Sequence, residues 1–155
     1  MDRFDRKILG ALVKDARQTY AAIGKMIGLS APAVHDRVKR LRAQNIIKDS
    51  AALLDGHAVG KPFLAFVMIN TDLRGKAEQM RAIMNFPEVE EIHSVTGDAC
   101  VIMKVRTANA QAMEELLERV YAIPGVTATK SYVALSTYLE RPIQAEITED
   151  WRSSA

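Results

Sequence analysis

Two stretches of this sequence place residues where they could do chemistry. The first runs Ser30-Ala31-Pro32-Ala33-Val34-His35-Asp36-Arg37-Val38-Lys39-Arg40-Leu41-Arg42. On a helix, Val34, Val38 and Leu41 recur at i, i+4 and i+7 and face inward. That leaves His35, Asp36, Lys39, Arg40 and Arg42 facing outward, a largely cationic surface suited to a polyanion. The second stretch is Ser94-Val95-Thr96-Gly97-Asp98-Ala99-Cys100-Val101, where Gly-Asp separates two apolar, strand-like runs. It reads either as a tight hairpin turn or as a ligand loop, with glycine exposing backbone and aspartate offering charge.

Other reactive residue types are scattered. His35, His57, His93 and Cys100 lack metal-ligand spacing, and no phosphate loop, dinucleotide fingerprint or nucleophile elbow occurs. Glu114, Glu115 and Glu118 fall at helical spacing and read as a solvated face. We therefore expect no catalytic residues, no metal and no cofactor. The single cysteine rules out an internal disulfide and fits a reducing compartment. The first 17 residues are charged throughout, with no apolar signal core, and no apolar run approaches the roughly 20 residues of a membrane span. These features predict a cytoplasmic protein without a membrane partner.

The net charge of +2 hides a division. Residues 1–60 hold 11 Lys and Arg against 6 Asp and Glu, whereas residues 61–155 hold 10 against 13. A basic first part on an acidic second part suggests two modules, the first facing nucleic acid. With 48% hydrophobic residues, the 155-residue chain has enough apolar surface for a real core.

The elements that must hold the first stretch follow from the pattern. Asp2 caps a first helix whose apolar face is Phe4, Ile8, Leu9, Leu12 and Val13. Thr19 caps a second, faced by Ala22, Ile23, Met26 and Ile27 and stopped at Gly28. Ser30 caps the third, with Pro32 in its first turn. Ile46 to Leu54 then reads as a short strand or wing. A short helix, a Gly-containing turn and a basic helix make a helix-turn-helix, because the major groove admits one helix braced by the one before it. Ser30, Ala31 and Ala33 permit close approach at the start of the third helix. His35 and Asp36 are candidates for base edges, and Lys39, Arg40 and Arg42 for phosphates. A plain three-helix bundle is the simpler alternative.

The second stretch belongs to a β-α-β-β-α-β order. Pro62 to Asn70 reads as a central strand. Leu73, Ala77, Met80 and Met84 mark a helix ending before Pro87. Val89–Val95 and Ala99–Val105 read as two strands joined through Thr96-Gly97-Asp98. Met113, Leu116, Leu117, Val120 and Tyr121 mark a second helix, and Val126 to Leu139 a last long strand. Both helices would lie on one sheet face, leaving the other face to a partner, so at least a dimer is expected. The class is α+β, with expected divisions at residues 1–54, a hinge at 55–61, a βαββαβ domain at 62–140 and a tail at 141–155.

The two modules in this order resemble the Lrp/AsnC family, the leucine-responsive or feast/famine transcription regulators. MDRFDRKIL is similar to the family's opening Leu-Asp-x-x-Asp-x-x-Ile-Leu, and IGLSAPAVHDRVKRLRAQNII to its recognition helix. AALLD matches the wing's exit, HSVTGD the strand-loop signature, and IPGVTATKSYV the closing turn and strand. The resemblance implies a winged helix-turn-helix on a ligand-sensing RAM domain that binds double-stranded DNA. It implies homodimers assembling to an octamer, and amino-acid or other small-molecule effectors held where dimers meet. The effector pocket would fall on Ser94, Thr96, Gly97, Asp98, Ala99, Cys100, Ala110, Tyr132, Val133 and Ala134. The family commonly reads Gly-Asp-aromatic-Asp where this chain has Gly97-Asp98-Ala99-Cys100. A neutral thiol does not pair with an ammonium group as a carboxylate does, which weighs against ordinary amino-acid sensing. Two other functions fit the architecture: an effector-independent regulator, and a sirohaem-decarboxylase-like enzyme using histidines such as His93. A visible tetrapyrrole band would mark the enzyme.

Overall fold

The computed structural model describes residues 1–72 and 76–145. They fall into two compact units. One comprises Met1–Ala52 with the segment from Leu139, and the other Leu53–Tyr138.

The first unit is three helices. α1 (Arg3–Lys14) starts at Asp2, whose carboxylate accepts the backbone N–H groups of Phe4 and Asp5. The Asp5 side chain reaches back to the Asp2 N–H, closing a capping box. α2 (Tyr20–Ile27) is capped by Thr19 and ends at Gly28, where φ is +77°. That left-handed turn favours glycine and aims the chain into Ser30, the cap of α3 (Ala31–Ala43). Ile8, Ala11, Ile23, Val34 and Val38 form the core, with Leu12, Ile27 and Ile47 packed against it.

The strand expected over Ile46–Leu54 does not form. After α3, Asn45 takes φ +55°, and the N–H groups of Ile46 and Ile47 both donate to the Leu41 carbonyl. Ile47 thereby joins the helical core, and the remaining segment finds no strand to pair with; Leu53 and Leu54 stay 78% and 72% exposed.

The second unit is an antiparallel sheet with order β2-β3-β1-β4. Its elements are β1 (Phe63–Thr71), α4 (Lys76–Met84), β2 (Val89–Ser94), β3 (Val101–Thr107), α5 (Ala110–Tyr121) and β4 (Val126–Val133). Ala65, Val67 and Ile69 of β1 and Val101, Met103 and Val105 of β3 alternate onto one face. Ile83 of α4 and Met113, Leu116 and Val120 of α5 cover that face, so both helices lie on the same side.

Several element readings shift, and Met26, expected on the apolar face of α2, is exposed. Ile83, not Met84, is the buried residue at the end of α4; Met84 is exposed. Tyr121 is also exposed, and its hydroxyl oxygen accepts a hydrogen bond from Thr129 Oγ1 at 2.7 Å. β4 ends at Val133, opposite Ala65, because β1 offers little beyond that point except the Leu64 carbonyl, taken by the Ala134 N–H. Leu73, expected on α4, and the polar end of the tail from Glu146 lie outside the described residues.

The sheet face away from the helices carries Phe66, Met68, Ile102 and Tyr132 at its centre, as the register requires. Charged pairs flank it: Lys104 with Glu90 at 3.1 Å, Arg106 with Glu90 at 2.6 Å, and His93 with Glu91 at 3.1 Å.

Candidate nucleic-acid interface

α3 presents its residues as a helix in front of a braced turn. The Ser30 hydroxyl accepts the Ala33 N–H at 3.4 Å, a bond that fixes the first turn. Ala31 and Ala33 are half-buried, and His35, Asp36, Lys39 and Arg42 are exposed. His35 Nδ1 lies 3.5 Å from Asp36, and its ring sits 5.7 Å from that of Tyr20 on α2, tilted by 51°. Packing against Tyr20 restrains the imidazole without covering it, since its side chain is 58% exposed. Lys39 and Arg42 make no ion pair with a described residue.

Arg40 is not the free outward cation that its helical position suggests. Its NH2 donates to both oxygens of Asp5, at 2.7 and 2.8 Å. Arg37, which periodicity did not single out, donates from NH1 to Asp2 at 2.6 Å and to Asp5 at 2.8 Å, with its guanidinium 5.5 Å above the Phe4 ring. These bonds tie the N-terminus of α1 to the middle of α3. Hydrogen bonds from the Asp5 N–H and from Arg37 hold the Asp2 carboxyl down to a pKa of about 2. Burial pushes the Asp5 carboxyl up, but the Asp2 N–H and the Arg37 guanidinium outweigh it, so it too stays below the usual carboxylate range. The sequence held one signal for this. Asp5 is one helical turn before Ile8 on the apolar face of α1, and a carboxylate there requires a cationic partner.

In the sheet unit, the Gly97-Asp98 loop is a built structure. Gly97 has φ +123°, and an added Cβ there would meet open space, so the constraint is conformational. Asn70, at the end of β1, clamps the loop. Its amide donates to the Asp98 carbonyl at 3.2 Å, and its Oδ1 accepts the Cys100 N–H at 3.1 Å. Sequence reading missed Asn70, which lies at the end of an otherwise apolar run. Ala99 is buried, so the methyl standing where the family places an aromatic packs into the fold. Cys100 is half-buried, its Sγ 4.0 Å from the Thr71 carbonyl oxygen. On β4, Lys130 Nζ lies 5.3 Å from the Tyr132 ring, and Tyr132 with Asp98 holds the Lys130 pKa above its ordinary value.

The ten expected effector residues do not all converge within one chain, although Asp98 and Tyr132 both act on Lys130. Ser94 to Cys100 sit at the end of the sheet where Ile69 faces Val101. Tyr132 and Val133 lie opposite Phe66 and Ala65, further toward the other end, and Ala134 bonds Leu64. Ala110 begins α5 just beyond Thr107, which faces Phe63. The six steps from Val101 to Thr107 span about 20 Å. A separate cleft of about 430 Å³ between α4 and the end of α5 includes Gln79 and Gly125 and shares none of the ten.

Residues 1–42 match the AsnC-type helix-turn-helix domain, and residues 64–144 match the Lrp/AsnC ligand binding domain. HTH-type transcriptional regulator FL11 of Pyrococcus horikoshii is 31% identical over 140 residues, covering 90% of this chain and 93% of that protein. The leucine-responsive regulatory protein of Escherichia coli is 35% identical over 140 residues, 87% of this chain and 85% of that one. The structure of AsnC from Escherichia coli superposes with a TM-score of 0.86 at 25% identity, covering 93% of this chain and 98% of that one.

Proposed function

Because the chain belongs to the Lrp/AsnC family of DNA-binding transcriptional regulators, we propose that α3 enters the major groove of operator DNA and that a small effector tunes this binding. The observation that carries the reading is the exposed face of α3, where Lys39 and Arg42 make no ion pair with a described residue, on a helix capped at Ser30. Ala31 and Ala33 let the helix start approach the duplex, where His35 and Asp36 read base edges. Lys39 and Arg42 hold phosphates. Arg40 contributes only through whatever part of its guanidinium Asp5 leaves open.

The experiment is duplex binding as a function of salt. Replacing Lys39 or Arg42 by Ala is expected to weaken binding to every sequence alike. Each should lower the slope of log K against log salt by about one counterion. An unchanged slope would remove that residue from the phosphate contacts.

The effector site is completed by more than one copy of the chain. The Gly97-Asp98 loop of one copy and the Tyr132–Ala134 and Ala110 group of another supply its two halves, and this fits their separation along the sheet. The open sheet face, apolar at Phe66, Met68 and Tyr132 and flanked by charged pairs, is the dimer surface. An amino acid is the effector class, as the name of the leucine-responsive relative suggests for that protein. The ligand acts by binding one assembly more tightly than another, since only differential affinity shifts an equilibrium.

A further inference from the structure

Asp5 is 1% exposed and accepts four hydrogen bonds from three donor groups. The Asp2 N–H reaches Oδ2 at 2.9 Å, Arg37 reaches Oδ1 at 2.8 Å, and Arg40 NH2 reaches both oxygens. The two arginines serve different ends. Arg37 is mostly covered, spans Asp2 and Asp5, and lies over Phe4, so it is a tie within the fold. The Arg40 side chain remains 49% exposed, and apart from NH2 its guanidinium makes no hydrogen bond with a described residue.

A guanidinium is a flat fork with donors on more than one edge. When one terminal nitrogen, here Arg40 Nη2, is held on both oxygens of a buried carboxylate, the remaining donors are restrained to point away from it. A free surface arginine must give up rotamer freedom to grip a phosphate, whereas a tethered one has already given it up on folding. We propose that Asp5 is a positioning residue for DNA binding, acting through Arg40, whose outer edge it holds ready for a phosphate. This rests on the reading of α3 as the DNA-facing helix.

The charge of Asp5 works in the opposite direction. A carboxylate near the interface repels phosphate, so if Asp5 acted only by charge, removing it would tighten binding. Positioning predicts weaker binding despite the gain in net positive charge, and the two effects are separable by sign.

The test uses the full chain, a mixed-sequence double-stranded 40-mer as probe, and salt titrations of the wild type, Asp5→Asn, Arg40→Ala and the double variant. Asp5→Asn is expected to weaken binding and lower the salt slope by about one, as Arg40→Ala does. In the Arg40→Ala background, Asp5→Asn should add nothing. Arg40→Lys keeps the charge and a bond to Asp5 but has no second edge, so it should show the same slope loss in a protein whose fold is undisturbed. The proposal is overturned if Asp5→Asn binds as tightly as wild type, if its effect persists in the Arg40→Ala background, or if Arg40→Lys keeps the full slope. If Arg40→Ala alone leaves the slope unchanged, the proposal falls while Lys39 and Arg42 still carry DNA binding. If no form binds the duplex, the proposed function falls with it.

Discussion

Asp2 and Asp5 make the stability of the helical unit depend on acid. Hydrogen bonds from the Asp5 N–H and from Arg37 place the Asp2 pKa at about 2, and Asp5 also lies below the ordinary range. A carboxyl group whose pKa is lower folded than unfolded stabilises the fold above its unfolded pKa, near 4. It loses that contribution as pH falls through the folded value. Thermal unfolding followed by helical circular dichroism should therefore show a loss of stability from about pH 4 down to about pH 2. Asp5→Asn should flatten that fall; an equally steep fall in the variant would deny Asp5 a part. Periodicity correctly placed Val34, Val38 and Leu41 inside and Lys39 and Arg42 outside. It also placed Arg40 outside, where it is exposed, but could not show its bond to Asp5, 35 residues earlier, a relation that no local pattern expresses.

Among the elements, those with caps and strong periodicity were legible. Thr19, Gly28 and Ser30 mark their helix boundaries because each supplies a local bond or a backbone conformation that its neighbours cannot. Elements defined by distant pairing were less legible. The segment from Ile46 has strand-like composition, but no strand among the described residues pairs with it, and the end of β4 is set by where β1 stops. The Gly97-Asp98 turn was visible, whereas its clamp, Asn70, is 28 residues away from Asp98. Asn70 gives the effector reading its test. In a thermal-shift screen of the twenty amino acids, a ligand at about a hundred times its Kd should stabilise the protein by roughly 2.7 kcal/mol. That shift should be lost in Asn70→Ala, which frees the loop. Silence from all twenty would mean that Ala99 and Cys100 have retired or retuned the site, leaving a regulator governed by its concentration or by another ligand.

At the scale of the whole molecule, the chain forms a helical unit, Met1–Ala52 with the segment from Leu139, and a sheet unit, Leu53–Tyr138, with separate cores. The open sheet face and the divided effector residues both call for a second copy. The proposed dimer would present two α3 helices to successive major grooves, about 10 base pairs apart or a multiple of that spacing. The charge shift suggested two modules, and apolar runs bounded by turn formers marked the strands. The split of the effector group was hidden, because only strand register shows that Ala110 and Gly97 lie at opposite ends. The most direct measurement is selection of binding sites from a pool of random-sequence duplexes by the full-length protein. The account predicts enrichment of a two-fold symmetric motif with half-sites at that spacing. Recovery of no enriched motif, with equal binding to all sequences, would contradict it.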